Sequence, residues 1–150
     1  MKRLILLIML CLPIVATAQT DHLTPLIKKY SGQMNCSTVE LSKEMLKHMY
    51  SASGIESMQA IAVENPELIS TLKEDLDSFL DYYKVVMAVN SDGTDVKIYS
   101  VKRQYISDET GLTETIEEYI IVAISEIDGI VIRLTGHNLS LSDATSLINI

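Results

Sequence analysis

The chain has 150 residues, with 20 acidic side chains against 12 basic ones and a formal net charge of −8. That balance excludes nucleic acid and anionic membrane surfaces as partners, since both are recognised through a basic face. Only two cysteines occur, Cys11 and Cys36, and the first lies in an amino-terminal leader, so the fold cannot depend on an intramolecular disulfide.

Lys2-Arg3 opens the chain, an apolar run covers 4–15, and Ala16-Thr17-Ala18 follows. A basic start, a short apolar stretch and an A-x-A site read as a secretory signal peptide over 1–18, cleaved after Ala18. The run falls well short of the ~20 residues needed to cross a bilayer. The protein is therefore expected to be periplasmic or secreted and not membrane-spanning. Leu10 before Cys11 is not the small residue that a lipid-anchor signal requires. Residues 19–150 then form a single domain, in which Cys36 begins an apolar strand and is expected to be buried and inert.

A short helix is expected over 21–33, with Leu23, Leu26, Ile27 and Tyr30 on one face and Pro25 tolerated in the first turn. A strand over 36–41 comes next. Ser42 caps a helix over 43–51, whose Met45, Leu46 and Met49 make a core stripe, and Ser53-Gly54 breaks it. A second strand covers 57–63. Asn65-Pro66-Glu67 supplies an N-cap residue, proline at the first helical position and an acid in the first turn. That helix runs to about Asp81 and buries Leu68, Leu72, Leu76, Phe79 and Leu80.

The densest strand signal lies over 83–135 and reads as a four-stranded antiparallel meander. Its first strand, 83–89, is apolar and β-branched. Asn90-Ser91-Asp92-Gly93 then marks a type I′ hairpin turn. The second strand, 96–106, alternates: Val96, Ile98 and Ser100 point one way, while Lys97, Tyr99, Val101, Arg103 and Tyr105 point the other. A polar loop over 107–113 leads to the third strand, 116–125. Its centre, Tyr119 to Ile124, is apolar without a break, so it is expected to be central and covered on both faces. Glu126-Ile127-Asp128-Gly129 turns the chain into the last strand, 130–135. A turn at 136–138 and a short helix capped by Ser142, carrying Ala144, Leu147 and Ile148, end the chain.

The expected fold class is α+β: a mainly antiparallel sheet built on the four-stranded meander, with helices packed chiefly on one face. A central strand apolar on both sides needs two covers. Helices of the first half supply one; the other falls to more of the chain, a homodimer partner or a ligand.

No catalytic, cofactor or metal constellation assembles from the sequence. Ser70-Thr71-Leu72-Lys73 has the S-x-x-K spacing of penicillin-interacting serine enzymes, but no K-T-G accompanies it and Ser70 falls mid-helix. The calcium-like loop 90–95 lacks the bidentate acid and the placed glycine of an EF-hand, which leaves a hairpin turn. Glu44 and His48 stand at i, i+4, too few ligands for zinc. Asp108-Glu109 and Glu117-Glu118 are read as solvated acidic surface, because neighbours in a strand face opposite ways. The best functional lead is a Tyr/Arg cluster on the sheet: Tyr99, Arg103 and Tyr105 on one face, with Tyr119 across from them.

Three stretches together resemble the secreted domain-of-unknown-function family 4252, common in Bacteroidetes. They are the leader ending Thr17-Ala18-Gln19; Tyr30-Ser31-Gly32 leading into the segment from Ser37 to Met45; and Ile130-Val131-Ile132-Arg133-Leu134-Thr135-Gly136 followed by Leu139-Ser140-Leu141-Ser142-Asp143. The resemblance covers nearly all of 19–150 and implies a small secreted or lipid-anchored envelope protein without an assigned activity. The sequence departs from lipid-anchored members at Leu10. It transfers no functional residue.

Taken together, the sequence points to a non-catalytic periplasmic or secreted binding protein that recognises another envelope protein or a small ligand, without a cofactor. The alternative is a self-associating structural or assembly component, a homodimer among its forms. A small hydrolase ranks third.

Overall fold

A computed structural model describes residues 23–49 and 54–146. The stretch 1–18 read as a leader, His22, the end of the helix expected over 43–51, Ser53, Leu147 and Ile148 lie outside the described residues. Ten elements follow in order: α1 (Thr24–Tyr30), β1 (Cys36–Leu41), α2 (Lys43–Met49), β2 (Ile55–Val63), α3 (Pro66–Leu80), β3 (Lys84–Ser91), β4 (Thr94–Ile106), β5 (Thr113–Ile124), β6 (Gly129–Gly136) and α4 (Leu141–Ser146).

All six strands form one open antiparallel sheet in the order β1-β2-β6-β5-β4-β3. The meander β3 to β6 is the expected one, and β2 and β1 extend it along β6, giving an α+β domain. Local chemistry explains the joints. Asp92 and Gly93 both take positive φ, 52° and 80°, the type I′ geometry that Gly supplies without a steric cost. The second hairpin is closed at 125–128, where the Ser125 side chain accepts from the Ile127 and Asp128 amides, so Gly129 is already the first residue of β6. Gly129 serves packing there: a Cβ would stand 3.0 Å from the Leu72 side chain of α3.

α3 begins as expected, with Asn65 Oδ1 accepting from the Glu67 amide at 3.1 Å and Pro66 at its start. Its buried stripe is Ile69, Leu72, Leu76 and Leu80; Leu68 and Phe79 flank it half-buried. α1 and α3 lie on one face of the sheet. There Leu23, Ile27 and Tyr30 of the first helical segment and the α3 stripe meet Ile61, Ile120, Val122 and Val131. α2 and α4 lie on the other face, where Leu46, Leu139 and Ala144 pack on Ile121 and Leu134 with Ile98 close by. The bulk of the helix is thus on one face. The two short helices on the other face settle part of its cover from within the chain.

β5 is central, as its unbroken apolar run requires: Ile120 and Ile121 point to opposite faces and are 0% and 2% exposed. β3, equally apolar, is an edge strand with every residue exposed. Its apolar side chains are not core.

Candidate interaction surface

On the α1/α3 face the sheet carries a polar row across its strands, and its centre is a buried carboxylate. Glu118 of β5 is 2% exposed. Its Oε1 accepts from Arg133 Nε of β6 at 2.8 Å and from the Tyr83 hydroxyl at 2.6 Å, and Arg103 Nη2 of β4 stands 3.6 Å from Oε2. The row continues outward, with Arg133 donating to Gln59 Oε1 at 3.3 Å and Gln59 donating to Glu40 Oε1 at 3.1 Å. Burial raises the Tyr83 phenol above its ordinary pKa, and the hydrogen bond it donates to Glu118 raises it further. Glu118 is shut from solvent and held by opposite charge, so what it does is tie β5 to β4, β6 and the α3–β3 joint.

This reorganises the expected Tyr/Arg cluster. Tyr99 and Arg103 share the α1/α3 face, as alternation along β4 demands, and Arg103 turns to Glu118. Tyr105 stands further along β4, opposite Glu114. Tyr119 is paired with Ser100, not with Tyr99, and so lies on the other face beside the α2/α4 core. The four residues do not form one surface. The register of β4 on β5 decides this, and a one-residue offset exchanges the faces. The reading of Glu118 as solvated surface is likewise corrected. Its signal was present in the sequence: an acid inside an apolar central strand, with Arg133 inside the neighbouring apolar strand, asks for pairing.

Other sequence candidates stay apart. Glu44 and His48 are on α2, Ser70 is exposed on α3 and Asp108 is in the β4–β5 loop. His137 Nδ1 is 3.0 Å from the Thr115 carbonyl, and its Nε2 is 3.3 Å from Glu56, which Lys43 also meets at 3.3 Å. Cys36 is half-buried against the core, and burial pushes its thiol pKa up. Among the described residues no helix is long and apolar enough to cross a membrane.

Two open features remain. One is a cleft of about 260 Å³ between α3 and β4, floored by Leu76, Leu80, Val122 and Ile124 beside Tyr99, with Lys73 and Asp77 on one wall and Asp95 and Lys97 on the other. The second is larger. On the α2/α4 face, among the described residues, the two short helices leave part of the sheet uncovered, and two rows of side chains in register run from the core beneath them to the sheet's open parts. One row runs Val39, Ala60, Ile132, Ile121, Ile98 and Met87; the next runs Ala62, Ile130, Ala123, Val96 and Val89. Ile98 and Ile121 are buried, but Val39, Met87, Val89 and Ile130 are exposed, and the alanines and Val96 are half-buried. No charged residue occurs in either row. At the β5–β6 turn end of the second row, Ala62, Ala123 and Ile130, with Glu64, Thr94 and Asp128 at the margin, line a depression of about 340 Å³.

No family model matches this chain, and neither does any curated protein. The geometry alone defines the class: an open antiparallel α+β sheet with one face closed over an ion-paired row and the other half-open and apolar.

Proposed function

We propose that this chain is an exported, non-catalytic interaction protein whose contact surface is the open apolar half of the sheet. The observation that carries this reading is the pair of uncharged rows, one across six strands and one across five, in a chain of net charge −8. Acidic proteins stay soluble through charge, and a contiguous surface without any is the feature that marks a protein contact. A partner is expected to meet it with an apolar centre and a polar rim. The leader over 1–18 and the resemblance to the secreted family support action in the envelope.

The test is site-specific photocrosslinking in the native envelope. A photoreactive residue at Ile130 should give an adduct of defined mass, and one at Glu74, on the exposed side of α3, should not. Equal labelling from both positions, or none from Ile130, would remove the reading. A small ligand is the second reading, and the cleft beside Tyr99 favours it. Lys73 and Lys97 make no ion pair among the described residues and would meet an anionic head over the apolar floor. Native mass spectrometry of protein purified from its own envelope should then show retained mass that Lys97→Glu abolishes.

A further inference from the structure

We propose that the exposed edge strand β3 pairs with β3 of a second copy of the chain, in antiparallel register about a two-fold axis at Ala88, so that the open half-faces of the two copies join. This rests on the reading of the apolar half-face as a contact surface, and three observations fix the occupant and the register.

β3 ends the sheet and all eight of its residues are exposed. From Val85 to Ser91 it carries no charge, whereas proteins ordinarily protect such an edge with lysine, proline or brevity. The opposite edge, β1, is shorter and bears Glu40. An irregularity between Val85 and Met87 disturbs only the start of β3, leaving 87–91 regular.

The direction of the unpaired backbone groups follows from the hairpin. Asp92-Gly93 is a two-residue type I′ loop, so Ser91 and Thr94 form its closing hydrogen-bonded pair. Hydrogen-bonded and non-hydrogen-bonded pairs alternate along an antiparallel ladder. Ser91, Val89 and Met87 therefore point their amides and carbonyls toward β4, while Asn90 and Ala88 point theirs outward. A two-fold axis at Ala88 lets the two Ala88 residues exchange both hydrogen bonds.

That register also satisfies the side chains. It sets Met87 of each copy opposite Val89 of the other, in the closer, non-hydrogen-bonded kind of pair. Met87 and Val89 belong one to each apolar row, and Ala88 lies midway, so the axis exchanges the two rows. The half-faces of both copies then run on as one band across twelve strands on the same side of the joined sheet. A register centred elsewhere would offset them. Isologous pairing of this kind closes at two copies.

Edge pairing buries less than the roughly 1,200 Å² of a standard interface, so the dimer should be weak and concentration-dependent. Sedimentation of the signal-cleaved protein across micromolar to millimolar concentration should show the mass rising from one copy to two. Ala88→Pro deletes an outward amide that no strand of its own sheet uses. It should keep the folded far-ultraviolet spectrum and stay monomeric to concentrations about tenfold higher. A wild-type protein monomeric throughout, a dimer indifferent to Ala88→Pro, or growth past two copies would each overturn the proposal. Photocrosslinking from Ile130 in the Ala88→Pro protein separates the two readings. An adduct there keeps the contact surface even if the dimer is absent, and a dimer without any adduct keeps only the pairing.

Discussion

The two faces of this sheet invert the usual arrangement of charge. Under α1 and α3, where solvent is excluded, stand Glu118 and Arg133. On the α2/α4 face, where solvent reaches Val39, Met87, Val89 and Ile130, the two rows hold no charge at all. Burying ions gains little stability over a packed apolar core, but it makes register expensive to lose, because a slipped strand leaves an unpaired charge in the interior. The covered face thus specifies how β4, β5 and β6 align. The open face inherits that alignment and presents the two rows as a coherent surface.

Breaking the covered face should therefore do the most damage. Glu118→Gln removes the buried carboxylate charge that Arg133, whose side chain is 11% exposed, Arg103 and Tyr83 all meet. A loss of about 3–5 kcal/mol is expected, read by urea unfolding. Replacing Glu118, Arg133 and Gln59 together with apolar residues should recover much of it, which tests whether the row supplies specificity or net stability.

Tyr83→Phe is a gentler probe of the same row, since it deletes one hydrogen bond to a carboxylate that keeps its arginines. It should cost about 1.5–3 kcal/mol. It should also alter the alkaline limb. The folded pKa values of Tyr30 and Tyr83 are both raised above the ordinary 10.0, by burial first and then by the bonds to Asp75 and Glu118. Above about pH 10 the unfolded chain releases protons that the folded chain keeps. Stability present below that pH is therefore lost as pH rises, at about 1.4 kcal/mol per pH unit for each proton. The Tyr83→Phe protein should lack one proton's share of that slope, and an unchanged slope would mean that Tyr83 is not held as described.

How much of this was readable from the sequence follows from range. The turn at Asp92-Gly93, the cap at Asn65-Pro66 and the two-sided burial of β5 are local, and each residue pattern implies its own geometry. The fate of Tyr119 is not local. It depends on which β4 residue lies opposite, and that is settled by how the 107–112 loop closes, with Ser107 donating to the Leu112 carbonyl at 2.9 Å. Glu118 looked like surface because its partners sit 15 residues on, at Arg133, and 35 residues back, at Tyr83. β3 reads like β5 by composition. Only the strand order makes one an edge and the other a centre.

The smallest expected effect lies on the open face, and there its smallness is the point. Ile130→Lys places a charge in the second apolar row at a position 38% exposed, with room for the ammonium to reach water. Stability should change by less than about 0.5 kcal/mol, a tenth of the expected loss at Glu118, and the far-ultraviolet spectrum should not change. Partner adducts from a photoreactive residue at Val39, in the adjoining row, should nonetheless disappear. If Ile130→Lys instead unfolds the protein, the second row is core and the contrast between the faces collapses. If it leaves both stability and adducts intact, the open half-face is apolar without being a contact, and the cleft beside Tyr99 becomes the surface to pursue.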